Sequence, residues 1–72
     1  MSTDGRMTIT LDGRPYELPA GTPLVDLVAS LGLAQSAAAT AVNGVFVARG
    51  QREARMLQPG DAVLLVQPIT GG

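Results

Sequence analysis

Residues 59–66 read Pro59-Gly60-Asp61-Ala62-Val63-Leu64-Leu65-Val66, a turn followed by five apolar residues in a row. A strand that is apolar on both sides lies inside a sheet, with neighbours at each edge, rather than at its border. The other elements must therefore flank it. Upstream, Thr40-Ala41-Val42-Asn43-Gly44-Val45-Phe46-Val47 carries the strongest short-range hairpin signal in the chain, since Asn-Gly suits the positive φ angles of a two-residue turn. Near the start, Met7, Ile9 and Leu11 alternate with Thr8 and Thr10 and lead into Asp12-Gly13, the pattern of a second hairpin. A two-residue turn there sets Leu11 opposite Arg14, Ile9 opposite Tyr16 and Met7 opposite Leu18, so the apolar residues of both strands share one face. Thr10 then opposes Pro15, whose missing N–H points away from the first strand, as a border position requires.

Between the hairpins, Thr22-Pro23 reads as an N-cap followed by proline at the first helical position. Leu24, Leu27, Val28 and Leu31 form one apolar stripe, and Gly32 suits a helix end. Residues 33–39 are alanine-rich and read as a connector with room for a short helical turn. Residues 49–57 mix charge with Ala and Met and show no readable period. The order strand, strand, helix, strand, strand, with a central closing strand beside the first, predicts an α+β chain of β-grasp (ubiquitin-like) type. Its mixed sheet of four to five strands grips one main helix. The divisions expected are an N-terminal extension over 1–6, the domain over 7–67 and a flexible diglycine tail over 68–72.

Composition limits what such a domain can do. With 72 residues there is one small core; with 46% hydrophobic and 3% aromatic residues it is built from Val, Leu, Ile and Ala, and Tyr16 and Phe46 supply its only rings. There is no Cys and no His, which removes disulfides, thiolates, a neutral-pH base and soft metal ligands together. Net charge is −1, from five arginines, no lysine and six carboxylates, so no basic field draws nucleic acid to the surface. Genome base composition accounts for the missing lysines more simply than function does. No stretch has signal-peptide or membrane-spanning length, and the expectation is a cytoplasmic protein without nucleic-acid or membrane partners. The carboxylates Asp4, Asp12, Glu17, Asp26, Glu53 and Asp61 form no close sequence pair for acid and base roles. No glycine-rich phosphate loop is present either. An enzyme is not expected.

The chain closes on Gln67-Pro68-Ile69-Thr70-Gly71-Gly72. A central strand ends and five residues with a reach of roughly 16 Å follow it. Two terminal glycines bring a carboxylate through a channel too narrow for a Cβ atom. Gly72 is the candidate reacting group, and Gly71, Thr70, Ile69 and Pro68 are the candidates for threading into a partner. Transfer of AMP from ATP would convert the carboxylate to a mixed anhydride that a sulfur nucleophile can open, leaving a thiocarboxylate.

In these residues the chain resembles the ThiS family, sulfur carriers of thiamine-thiazole biosynthesis, and more distantly the carriers of molybdopterin synthesis. The likeness runs over 7–72: a short first hairpin, Leu24-Val25-Asp26-Leu27-Val28, Ala41-Val42-Asn43-Gly44, Pro59-Gly60-Asp61-Ala62-Val63-Leu64-Leu65 and Gly71-Gly72. It implies adenylation of Gly72 by an E1-like adenylyltransferase of ThiF/MoeB type, sulfur from a cysteine desulfurase relay, and donation to a thiazole synthase of ThiG type. The carrier binds no cofactor; ATP is used by the activating partner. Pro68-Ile69-Thr70 does not single out one pathway, so molybdopterin or another sulfur-transfer route stays open. A ubiquitin-like modifier and a passive β-grasp interaction module are the further alternatives.

One helix covers one sheet face, yet 62–66 offers apolar side chains to both. The surplus face, with Leu64, Val66 and Phe46, is the expected docking surface, in preference to one hidden under 33–39. Arg49, Arg52 and Arg55 lie three apart and read as a solvated charged face rather than as a basic edge meeting an acidic partner.

Overall fold

The computed structural model describes residues 5–67. In chain order it contains β1 (Arg6–Leu11), β2 (Arg14–Pro19), α1 (Leu24–Ser30), a 3₁₀ turn (Gln35–Ala37), β3 (Ala39–Val42), β4 (Val45–Val47), a second 3₁₀ turn (Arg49–Gln51) and β5 (Ala62–Val66). The five strands form one sheet in the order β2-β1-β5-β3-β4. β5 runs parallel to β1 and antiparallel to β3, so the strand that is apolar on both sides is the middle one of five. This is the β-grasp arrangement that the sequence predicts.

Both hairpins take the expected register. Met7 pairs with Leu18, Ile9 with Tyr16 and Thr10 with Pro15, and β2 is a border strand, which leaves the imide of Pro15 without a ladder to break. At the turns Asp12 (φ 52°) and Asn43 (φ 55°) take left-handed conformations, each followed by a glycine that shares that handedness. Their side chains also reach the central strand. Asp12 Oδ1 accepts from Leu65 N at 3.0 Å, and Asn43 Oδ1 accepts from Ala62 N at 2.9 Å. Asn43 Nδ2 in turn donates to Asp61 Oδ1 at 3.0 Å. The residues that make the turns thus also tie the two hairpins to β5.

The inward faces of the strands meet α1. Met7, Ile9, Leu18, Val42, Val47 and Val63 pack with Leu24, Leu27 and Leu57 in one cluster, with Leu11, Tyr16 and Leu31 against it. Each such side chain contributes about 1.5–3 kcal/mol by leaving water. Of the two rings, only Tyr16 joins this core. Phe46 is 67% exposed, because Val47 is the inward residue of β4 and its neighbour must point to the other face.

The helix start differs from the expectation. Pro23, not Thr22, is the N-cap, and no side chain caps the helix. Thr22 Oγ1 donates instead to Pro19 O at 2.6 Å. The free amides of the first turn are satisfied from far along the chain, Leu24 N by Arg55 O at 2.9 Å and Val25 N by Arg52 O at 3.2 Å. Leu57 N donates back to Thr22 O at 3.0 Å, and Leu57 is 1% exposed. Residues 49–57, unreadable by period, are therefore the strap that closes the helix N-terminus.

Arg52 overturns the expectation of a solvated arginine face. It is 2% exposed. Its Nε donates to Thr40 Oγ1 at 3.0 Å, its Nη1 to Gln35 O at 2.7 Å and Gln35 Oε1 at 3.0 Å, and its Nη2 to Ala38 O at 2.6 Å. Thr40 Oγ1 passes the chain on to Val47 O at 2.9 Å. The guanidinium thus closes the connector 35–38 onto β3 and β4 through neutral acceptors, and no carboxylate among the described residues pairs with it. Burial, aided by the charge of Arg49, lowers its pKa from the ordinary arginine value.

Arg52→Leu keeps the volume and strands these acceptors. A loss of about 2–4 kcal/mol in unfolding free energy is expected, read as a lower urea midpoint with an unchanged slope. Arg52→Lys, with one compact charge in place of the fork, should recover only part of it.

Candidate functional site

The strand alternation that buries Val63 turns Ala62, Leu64 and Val66 to the face away from the helix. Registers across β4, β3 and β5 place Phe46 opposite Ala41 and Ala41 opposite Leu64, with Ala39 opposite Val66 on the same face. Phe46, Ala41 and Leu64 form a row across three strands. Leu64 is 47% exposed and Val66 62%, so residues 33–39 do not cover them. The face is polar toward the other border, where Thr8 and Thr10 of β1 stand beside Glu17 and Pro15 of β2, and Arg6 and Glu17 approach to 3.4 Å. Half of this face is therefore apolar and half polar, the character of a contact patch with a polar rim. The three residues expected at a docking surface, Phe46, Leu64 and Val66, are brought together on it.

The patch lies at the end of the sheet where the chain departs. β5 finishes at Val66, and Gln67 is the last described residue. Pro68, Ile69, Thr70, Gly71 and Gly72, singled out as the reacting terminus and its threading segment, lie outside the described residues. Beside the departure point is a groove of about 430 Å³, lined by Ala39, Phe46 and Val66 together with Arg49 and Arg52. The sequence groups these two with Arg55 as one solvated face; of the three, only Arg49 is both exposed and without an ion-pair partner among the described residues. Arg55 approaches Asp61 Oδ2 at 3.6 Å.

Two carboxylates, Asp12 and Asp61, are bound into the scaffold. Asp61 is 7% exposed and accepts from Gln58 N at 2.8 Å as well as from Asn43; Asp12 accepts from β5. Among the described residues no group of three or more His, Cys, Asp or Glu is placed to hold a metal ion, and no helix is long and apolar enough to cross a membrane.

Comparison with known proteins adds the following. The model of the ThiS family matches residues 8–72. The sulfur carrier protein ThiS of Escherichia coli is 35% identical over 66 residues, which cover 92% of this chain and all of that one. A thiazole synthase of Magnetococcus marinus is 39% identical over 66 residues, again 92% of this chain but only 20% of that protein, so the chain spans about a fifth of that relative's length. Among solved structures, the crystal structure of the thiamine biosynthesis protein ThiS of Geobacter metallireducens superposes with a TM-score of 0.78 at 26% identity, covering 92% of this chain and 100% of that one. The solution structure of a thiamine biosynthesis protein from the same organism gives 0.76 at the same identity.

Because Leu64 and Val66 contribute little to the core, Leu64→Asp and Val66→Asp should change the unfolding free energy by about 0.5 kcal/mol or less. Urea denaturation measures this, and a collapse of the fold in either variant would place these side chains in the core instead.

Proposed function

The chain belongs to the ThiS family, and on that premise we propose that it is a sulfur carrier of thiamine-thiazole biosynthesis, with the C-terminal carboxylate of Gly72 as its working group. The observation that carries the proposal is the family match running through residue 72, together with full coverage of the Escherichia coli sulfur carrier. In the proposed cycle an E1-like adenylyltransferase presents ATP to the carboxylate. A carboxylate oxygen attacks the α-phosphorus and pyrophosphate leaves, which gives an acyl-adenylate. The terminal sulfur of a persulfide supplied by a cysteine desulfurase relay then attacks the acyl carbon and displaces AMP. A second thiol cleaves the S–S bond of the resulting acyl disulfide, which leaves the thiocarboxylate and a disulfide between the two thiols.

The fold suits that division of labour. Oxygen-for-sulfur exchange at a terminus needs no base or metal from the carrier, only reach and an address. Reach comes from 68–72, in which Gly71 and Gly72 offer no Cβ to a narrow partner channel. The address is the apolar patch of Phe46, Leu64 and Val66, next to the point of departure. A partner that seats on this patch gains apolar burial and fixes the position of the terminus in the same contact, which raises the effective concentration of the carboxylate at its active centre. We assign the acceptor to the thiazole synthase class. The Magnetococcus marinus relative supports this, since a segment similar to this chain forms part of a thiazole synthase there.

The test is incubation with ATP, an E1-like adenylyltransferase and a sulfur source, followed by intact mass spectrometry. Exchange of one oxygen for one sulfur is expected, and its loss on deletion of Gly72. High-molecular-weight conjugates would point to a modifier, and unchanged function without Gly72 to a passive interaction module. Leu64→Asp should slow the exchange about tenfold or more through KM, the loss expected when a charge is buried against an apolar partner surface. Equal rates would remove the docking role from this face.

A further inference from the structure

The groove at the departure point of the terminus has walls of two kinds. Ala39, Phe46 and Val66 are apolar, and Arg49 and Arg52 are cationic. Among the described residues no carboxylate lines it. The two ion pairs of the described residues, Arg6 with Glu17 and Arg55 with Asp61, lie elsewhere. Arg49 is exposed and is held by the 3₁₀ turn that it opens. Arg52 is buried among four acceptors that are all neutral. A guanidinium carries five N–H donors, so one N–H of Nη2 has no acceptor among the described residues.

Hydrogen bonds to carbonyl, amide and hydroxyl oxygens satisfy four donors of Arg52 without cancelling its charge. The low-dielectric surroundings screen that charge poorly, and the field emerges where the protein is open, into the groove. Arg49 adds a second cation at the mouth. In a chain of net charge −1, this is a local concentration of positive charge with no counterion among the described residues.

We propose that this groove is a specificity pocket for the E1-like activating partner, into which that partner places an acidic side chain with an apolar neighbour. The carboxylate pairs with Arg49 in the field of Arg52, and the apolar neighbour packs on Phe46 and Val66. The inference deepens the carrier proposal and rests on it. Position favours an enzyme that handles the terminus, because Val66 is both a wall of the groove and the last residue of β5, from which the reactive segment leaves. Chemistry favours a carboxylate over a second apolar side chain, which would bury the charge of Arg49 unpaired. The same contact discriminates against partners that present a basic residue here.

The experiment measures KM and kcat for sulfur transfer to the full chain by an E1-like adenylyltransferase, at low and high salt, for wild type, Arg49→Glu, Arg49→Lys and Arg14→Glu. Arg14 lies on β2, the opposite border of the sheet, and provides the same change of net charge at a distance. Arg49→Glu should raise KM about tenfold or more with kcat unchanged and weaken its salt dependence, while Arg49→Lys stays near wild type and Arg14→Glu leaves KM unaltered. A KM for Arg49→Glu within twofold of wild type, or an equal rise for Arg14→Glu, overturns the pocket and leaves the carrier proposal standing. A fall in KM for Arg49→Glu also overturns it, and points to the chain's own terminal carboxylate as the occupant. Absence of sulfur transfer in wild type defeats the carrier proposal and the pocket with it.

Discussion

Everything in this protein is arranged around a strand with two apolar faces and one helix to cover them. β5 supplies Val63 to the core, hydrogen-bonds to β1 on one side and β3 on the other, and receives the side chains of both hairpin turns. Because its neighbours β1 and β3 belong to separate hairpins, the sheet closes only when β5 is in place. The constraint that makes the fold cohere also leaves an apolar face open: a five-residue strand cannot bury Val63 without turning Leu64 and Val66 outward, and a single helix cannot cover both sides. In a larger domain a second layer would take that face. By our proposal a partner takes it here.

Arg52 shows a second way in which a small domain economises. The core is aliphatic and one ring short, since Phe46 faces out. A long cation with a planar fork takes up the task of fastening the connector 35–38 to β3, where another protein of this size would use a larger apolar side chain. Neutral acceptors satisfy four of its five donors but not its charge. If the proposed pocket is correct, a single side chain joins packing to recognition.

The division of labour with partners follows from what the chain contains. Asp12 and Asp61 are taken up by turns and by ties to β5 and its preceding turn, and the chain possesses neither imidazole nor thiol. What it presents is an address and, by proposal, an acyl terminus. Membership of the ThiS family accords with such a division, because a carrier must be recognised by one protein after another while remaining inert in itself.

Periodicity and turn chemistry determined most of the architecture directly from the sequence. Asp12-Gly13 and Asn43-Gly44 set the two hairpins and their registers; the stripe Leu24, Leu27, Val28 and Leu31 set the helix; the unbroken run 62–66 set the centre of the sheet. These are consequences of near neighbours along the chain, which a sequence displays. The fates of Thr22, Phe46 and 49–57 were decided only by the tertiary structure. Thr22 has the right chemistry for a cap, but carbonyls from 52 and 55 reach the helix amides first. Phe46 reads as core by hydrophobicity and is placed outside by the parity of β4. Arg49, Arg52 and Arg55 look equivalent at three-residue spacing, yet one is solvated, one is paired with Asp61 and one is buried. The burial of Arg52 arises from contacts across 12 to 17 residues of chain, and no local pattern encodes a partner that folding alone brings near.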